Sequence, residues 1–261
     1  MKLKNLTKTP RRKHNPDRFI EIDMIRGLAI ILMIFAHLLW DLDYFGIMPL
    51  NNQFYSIMQK TVTPFFFLLV GIGLIVSKKR IENMPLKAEK TYYTNLILRG
   101  LKIFSLGMIL TTATLIAIPG RPVLFGVLHC IGFSMILSVP FLKYRNYTPL
   151  FALLFIFMGS LVSQYSIEAP TIFHLAVGLH QTNVFLYTVD YFPLLPWFGV
   201  CLLGVVVGDI LYSGNERRFR MPDLSKYKPA KIFQWVGQHS LIIYLLHQPV
   251  IAGALFVFMT L

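Results

Sequence analysis

Arg26, His37 and Asp41 lie on one apolar stretch, IDMIRGLAIILMIFAHLLWDL. Ionisable groups inside hydrocarbon cost several kcal/mol, so three on one segment call for a functional reason. At about 100° per residue, positions 26, 30, 33, 37 and 41 fall within about 80° of one another on a helix. The polar line therefore faces into a bundle rather than into lipid. Imidazole suits general-base work near neutral pH. Asp41 follows His37 by one helical turn, where it is placed to orient the ring and steady its charged form. Arg26 stands about 16 Å from His37 along the axis. That spacing lets one ligand be held by a charged end near one membrane face and react near the other.

Two further imidazoles fall at comparable depth. His37 is expected about 6 Å below the outer boundary and His129, in FGVLHCIG, about 9 Å below it. With His247 in YLLHQP, three helices would bring imidazoles together in the outer half of the membrane. A hydrogen-bonded structural histidine is the alternative for His129 and His247. At the inner end Arg26, Arg99 and Lys102 form a candidate anion site, because guanidinium groups bind phosphate with bidentate geometry. Snorkelling to the interface is the alternative for Arg26 and Lys102. Trp40, His247 and Gln248 are the candidates on the acceptor side, Trp40 also being suited to the aromatic belt.

The elements that must carry these residues follow from composition. Of 261 residues, 55% are hydrophobic and only 14% charged, with a mean hydropathy of +0.60. Soluble domains carry about 25% charge, so the chain is expected to be solvated by lipid. Spans of about 20 apolar residues are needed to cross. Seven are read, at roughly 21–40, 57–77, 98–118, 123–142, 148–164, 194–212 and 236–258. The expected fold is an all-α, polytopic membrane bundle of about seven helices. Residues 1–19 form a basic cytoplasmic tail, and 20–261 form a single transmembrane domain.

The net charge of +13 is a topology signal rather than a nucleic-acid signature. Of 25 Lys and Arg, all but Lys60 and Arg121 fall on one side of those spans. Cytoplasmic loops carry the Lys/Arg excess, which predicts an inside N-terminus and an outside C-terminus. Loop 78–97 is expected to be partly helical, and Pro222 and Pro229 to prevent a long helix in 213–235. The outer segment 165–193 has no Lys or Arg and is expected to carry a short interfacial helix. Cys130 and Cys201 lack metal or redox spacing and read as buried thiols; no metal site is expected.

The motifs R-x-x-E-I-D-x-x-R-G-L-A-I-I-L-M from Arg18 and H-x-x-W-D-L-x-Y-F-G from His37 occur in order with four others. These are T-P-F-F-F-L-L-V-G at 63–71, F-G-V-L-H-C-I-G at 125–132, F-P-L-L-P-W-F-G at 192–199 and G-Q-H-S-L-I-I-Y-L-L-H-Q-P at 237–249. Together they resemble the small prokaryotic members of the heparan-α-glucosaminide N-acetyltransferase catalytic-domain family. Arg26, ten residues and His37 also resemble the first-helix motif of membrane acyltransferases of the acyltransferase-3 type. The resemblance implies a multi-pass enzyme of the prokaryotic cytoplasmic membrane that uses cytoplasmic acetyl-CoA as acyl donor. Its phosphates would rest near Arg26 and Arg99. His37 would act as base or transient acyl carrier, oriented by Asp41, and His129 would polarise the thioester or place the acceptor. The acceptor would be a hydroxyl or amine on an extracytoplasmic sugar, glycan or lipid-linked molecule. Membrane lipid and a second copy of the chain are the other expected partners. A transporter using a His/Asp relay and a structural subunit are the competing readings.

Overall fold

Apolar runs bounded by glycine, proline and charge fold here into helices, as a computed structural model shows for residues 18–49, 52–82, 84–214 and 216–260. The expected basic tail lies outside the described residues apart from Arg18 and Phe19. The elements in chain order are α1 (Ile20–Tyr44), α2 (Asn52–Lys79), α3 (Leu86–Ala117), α4 (Val127–Leu137) and α5 (Val139–Lys143). They continue with α6 (Thr148–Val162), α7 (Ile172–Val177), α8 (Leu194–Leu211), α9 (Lys228–Gln238) and α10 (Ser240–Thr260). One two-residue hairpin, Tyr212–Ser213 with Glu216–Arg217, follows α8. Among the described residues six helices are long and apolar enough to cross a membrane. The protein is a multi-pass, all-α membrane bundle.

Two of the seven expected spans differ in form. The fourth is broken into α4 and α5 at Ser138, because Pro140 falls in the first turn of α5 and cannot donate a backbone hydrogen bond. The seventh is split at His239, whose Nδ1 donates to the Trp235 carbonyl at 2.8 Å. Pro229, expected to interrupt a helix, instead sits in the first turn of α9, where its fixed φ favours initiation. The third span starts early: the expected loop helix is the beginning of α3, which runs 32 residues. The short helix expected in the outer segment is α7.

Helix contacts are made where glycine removes a side chain. Gly71 and Gly204 let α2 and α8 touch backbone to backbone, Gly100 and Gly132 do the same for α3 and α4, and Gly27 and Gly237 for α1 and α9. A Cβ at Gly27 would collide with the Phe233 carbonyl, and one at Gly237 with the Asp23 carbonyl. Lipid offers no hydrophobic drive between helices, so close packing of this kind is what holds them. Against this frame α10 follows α1 from Ser240 upward, bringing Gln248 to Asp41 and His247 to His37. The free thiols Cys130 and Cys201 are fully buried in the main core beside Phe67 and Val205.

Candidate active site

At the face that carries the start of α1, four cations are held in ion pairs that link one element to another. Lys78 pairs with Glu89 at 2.8 Å, and Lys79 with Asp209 at 2.8 Å. Arg145 bridges Glu82 and Asp209, and Arg217 clasps Glu21 through two bonds of 2.6 and 2.8 Å. Arg18, Arg26 and Arg99 differ. Arg18 and Arg26 share the single carboxylate of Asp23, at 2.9 and 3.3 Å, and Gln238 donates to its other oxygen at 3.3 Å. Arg99 makes no ion pair among the described residues. These three arginines line one cavity of about 450 Å³, together with Ser77, Tyr92 and Asn95. Three guanidiniums against one carboxylate leave the vestibule with an unbalanced positive charge.

Arg26 also lines a second cavity, of about 250 Å³, in the middle of the bundle. The two share a wall of Arg26, Leu69, Val70, Ile103 and Ile131. Gly73 on α2 lies beside the guanidinium, where a Cβ would meet it at an ordinary contact distance of 3.8 Å. This central chamber holds His37, Thr63, Asp190 and Tyr244 among apolar side chains such as Ile30, Met33 and Phe66. His37 thus lines the same cavity as Arg26, on the same face of α1, as its spacing predicts.

The partners of His37 differ from those expected. Its ring lies 4.9 Å, centroid to centroid, from His247. It makes no hydrogen bond among the described residues, with Asp41 or otherwise. The Asp41 carboxylate, 2% exposed, instead accepts from Gln248 Nε2 at 2.8 and 3.0 Å. Asp41 therefore joins α1 to α10, and His247 is the nearer neighbour of the His37 ring. His247 Nδ1 donates to the Tyr244 carbonyl at 2.5 Å, which leaves Nε2 as a buried acceptor with no partner.

The expected convergence of three imidazoles is not formed. His129 sits at the third residue of α4, where its side chain folds back over the helix start. Its Nδ1 accepts from the Gly126 N–H at 3.2 Å, and Nε2 lies 3.5 Å from the Thr111 hydroxyl. That hydroxyl donates onward to the Val123 carbonyl at 2.6 Å. Phe104 and Phe125 cover the ring. His129 is a clasp between α3 and α4, away from the chamber wall. Trp40 also stands off the cavities, stacked on Tyr44 at 5.1 Å. Lys102 is exposed and lines neither cavity, whereas Arg99, three residues earlier, does.

Helical periodicity gives no sign of Asp190, whose place is set by the loop. Its Oδ2 accepts from the Val127 N–H at 3.0 Å, at the positive end of α4. Thr188 donates to its carbonyl oxygen at 3.0 Å. Enclosure between the loop and α4 pushes its carboxyl up to about 6, against the pull of the Val127 hydrogen bond. A carboxyl raised above its unfolded value binds protons more readily in the folded state, so it costs stability as pH rises from about 4 through about 6. Asp190→Asn is therefore expected to raise the Tm by about 2–4 °C at pH 7.5 and to change little near pH 4. A thermal-unfolding series in detergent at the two pH values checks this; equal shifts at both would exclude the linkage.

A family model described as heparan-alpha-glucosaminide N-acetyltransferase, catalytic, matches residues 18–249. Searches of the curated proteins and of the solved structures found no match. The matched region begins at Arg18 in the vestibule, takes in Gln248 beside Asp41, and includes every residue of both cavities. The chain belongs to the heparan-alpha-glucosaminide N-acetyltransferase catalytic-domain family, a family of membrane acetyltransferases.

Proposed function

We propose that this protein transfers an acetyl group from acetyl-CoA, bound from the cytoplasmic face, to a hydroxyl or amine of an extracytoplasmic acceptor. The observation that carries the reading is the pair of adjoining cavities with Arg26 on their common wall. One is cationic and opens beside the basic ends of the helices; the other holds His37. The three vestibule arginines suit the phosphates of the donor, since hydrogen bonds between charged groups are about twice as strong as neutral ones. The N-terminus is assigned to the cytoplasm because nearly all Lys and Arg lie at that face.

In the chamber His37 takes the proton of the acceptor O–H or N–H as oxygen or nitrogen attacks the thioester carbonyl. The new C–O or C–N bond forms, the C–S bond breaks, and the imidazolium returns its proton to the departing thiolate. His247, with its unpartnered Nε2, is the neighbour placed to set the orientation of His37. Asp41 and Gln248 fix the distance between α1 and α10 at which that pair meets. The apolar walls keep bulk water from competing with the acceptor.

The test is thermal unfolding of purified protein in detergent, titrated with acetyl-CoA. A concentration-dependent rise in Tm is expected, following mass action. Reconstituted vesicles supplied with labelled acetyl-CoA on the arginine side should accumulate acetylated acceptor on the other. Absence of any stabilisation up to millimolar acetyl-CoA would leave the His37–His247 pair to be explained as a transport relay.

A further inference from the structure

Glu21 and Asp23 both lie buried in the first turn of α1, and the fold treats them in opposite ways. Glu21 gives both oxygens to one cation, Arg217, whose fork closes on it at 2.6 and 2.8 Å. The Phe19 ring covers that guanidinium at 5.2 Å, and Arg217 lines neither the vestibule nor the chamber. Asp23 divides its oxygens instead. Oδ1 accepts one bond from Arg18 at 2.9 Å and one from Arg26 at 3.3 Å, while Oδ2 accepts from Gln238 Nε2 at 3.3 Å. Both arginines held in this way line the vestibule.

The difference matters because of how guanidinium and carboxylate pair. Given both oxygens, an arginine makes two parallel bonds and its charge is matched one for one. Asp23 offers its two arginines a single oxygen, because the Gln238 amide occupies the other. Neither Arg18 nor Arg26 then forms the fork that Arg217 makes. Each keeps donors in hand, out of the five N–H groups that a guanidinium carries. In Arg26, Nη1 bonds Asp23, whereas Nη2 lies on the side of Gly73, a residue of the vestibule wall.

Gln238 is put there by backbone packing rather than by its own bond. Ala230, Gln234 and Gly237 form the buried face of α9, and the backbones of the two helices meet where Gly237 touches the Asp23 carbonyl. That contact sets the last residue of α9 beside Asp23. Gln238 itself is exposed and lines neither cavity. Its amide is neutral, so it takes up an oxygen without bringing a carboxylate that would pair with the arginines.

We infer that Gln238 is a positioning residue: by capping the second oxygen of Asp23 it keeps Arg18 and Arg26 available to an anion in the vestibule. The inference rests on the acetyl-transfer reading for the identity of that anion, the phosphates of acetyl-CoA. Asp23 is needed as well, because two guanidiniums side by side repel each other without a carboxylate between them. The carboxylate gathers the pair, and the amide stops it from capturing either one. Without the amide Asp23 becomes a second Glu21, a competitor of the ligand for its own arginines.

The test reads the availability of each guanidinium directly. The full chain in detergent is treated with phenylglyoxal, which modifies accessible arginine side chains, and the modified peptides are quantified by mass spectrometry. Gln238→Met keeps the length of the side chain and removes the donor; the position is exposed, so the substitution opens no cavity. Combined labelling of Arg18 and Arg26 should slow about threefold or more, within the range of couplings inside one hydrogen-bond network. Gln238→Lys, which restores a donor to Asp23, should label as fast as wild type or faster. In an Asp23→Asn background Gln238→Met should have no effect, since the competitor is already gone. Arg99, which makes no ion pair among the described residues, is the internal reference and should label equally throughout. Should Asp23→Asn fail to fold, the Met and Lys variants decide between them.

Unchanged labelling in Gln238→Met, failure of Gln238→Lys to restore it, or an equal slowing of Arg99 would overturn the assignment. So would a Gln238→Met effect that persists undiminished over Asp23→Asn. Thermal unfolding titrated with acetyl-CoA, on the same samples, reads the donor site separately. The concentration for half-maximal stabilisation should rise about threefold or more in Gln238→Met, by the same coupling, and return in Gln238→Lys. Turnover at saturating acetyl-CoA should stay at the wild-type level, which a general loss of structure would not allow. Slowed labelling without any stabilisation of wild type by acetyl-CoA would retain the role of Gln238 and remove the transfer reading. Stabilisation with unchanged labelling would remove the role of Gln238 alone.

Discussion

His37→Ala is expected to lower acetyl transfer by about 10²–10⁴-fold, the usual worth of a positioned general base. Acetyl-CoA should still stabilise the variant, because His37 lies in the chamber and the arginines lie in the vestibule beyond Arg26. The fold should survive, since the ring makes no hydrogen bond among the described residues. His37→Gln should be about as inactive, because an amide cannot carry the transferred proton. Activity within about tenfold of wild type in either variant would exclude the base role. The contrast with His129 is informative. His129→Ala removes a clasp to Gly126 and Thr111 and should act through stability, leaving the turnover of folded enzyme largely intact.

The second large effect is expected in the vestibule. Arg99→Ala should weaken acetyl-CoA binding by about 10–150-fold, the factor that corresponds to a hydrogen bond of about 1.5–3 kcal/mol to a charged group. Arg99 has no ion pair among the described residues, so no buried carboxylate is left behind when it goes. Arg26→Ala should weaken binding by a similar factor. It also leaves Asp23 with Arg18 and Gln238 alone, so some loss of Tm is expected there. Lys102→Ala, one helical turn from Arg99 but off the cavity wall, should bind acetyl-CoA as wild type does. Isothermal titration of the three variants separates a specific site from a general positive surface. A uniform loss across all three, reversed by low salt, would indicate the surface instead.

Periodicity makes α1 legible in the sequence, because an apolar helix crossing lipid can turn its costly side chains only one way. Arg26 and His37 do line the two adjoining cavities. Depth alone, however, misplaced His129. Counting residues from an assumed boundary says how far down a side chain lies but not which way its helix is rotated. The start of α4 at Val127 puts His129 where its ring folds back onto Gly126. Asp41 was misjudged for a related reason. One turn of separation brings it near His37, but Gln248 approaches from another helix and takes its carboxylate. Sequence spacing speaks for one helix at a time, whereas partners are chosen between helices. Asp190 and Gln238 were silent on the same ground. Asp190 sits in a segment without helical period, and Gln238 in the G-Q-H-S run reads as one polar residue among many.

The fourth and seventh spans show the same limit in the fold. Hydropathy averages over the whole of 123–142 and 236–258 and registers neither Pro140 nor His239 as an end. Those interruptions matter, because the break at His239 lets α9 lie against the first half of α1 while α10 turns up beside the second half. Without it, Gln238 could not reach Asp23 while Gln248 reached Asp41.

Arg26 has one more consequence, electrical rather than chemical. A protein that receives one substrate from each side of a membrane must avoid becoming a leak. Each elementary charge crossing a 100 mV potential dissipates about 2.3 kcal/mol. The fixed positive charge on the wall between vestibule and chamber opposes protons and metal cations by the same repulsion that lets arginine bar them from water channels. The same charge would attract the phosphates of the proposed acyl donor. A cell could then expose an acetyl-accepting surface to the outside without spending its ion gradient to do so. Substituting Arg26 with a neutral residue would bear on the insulation of the membrane as well as on the enzyme.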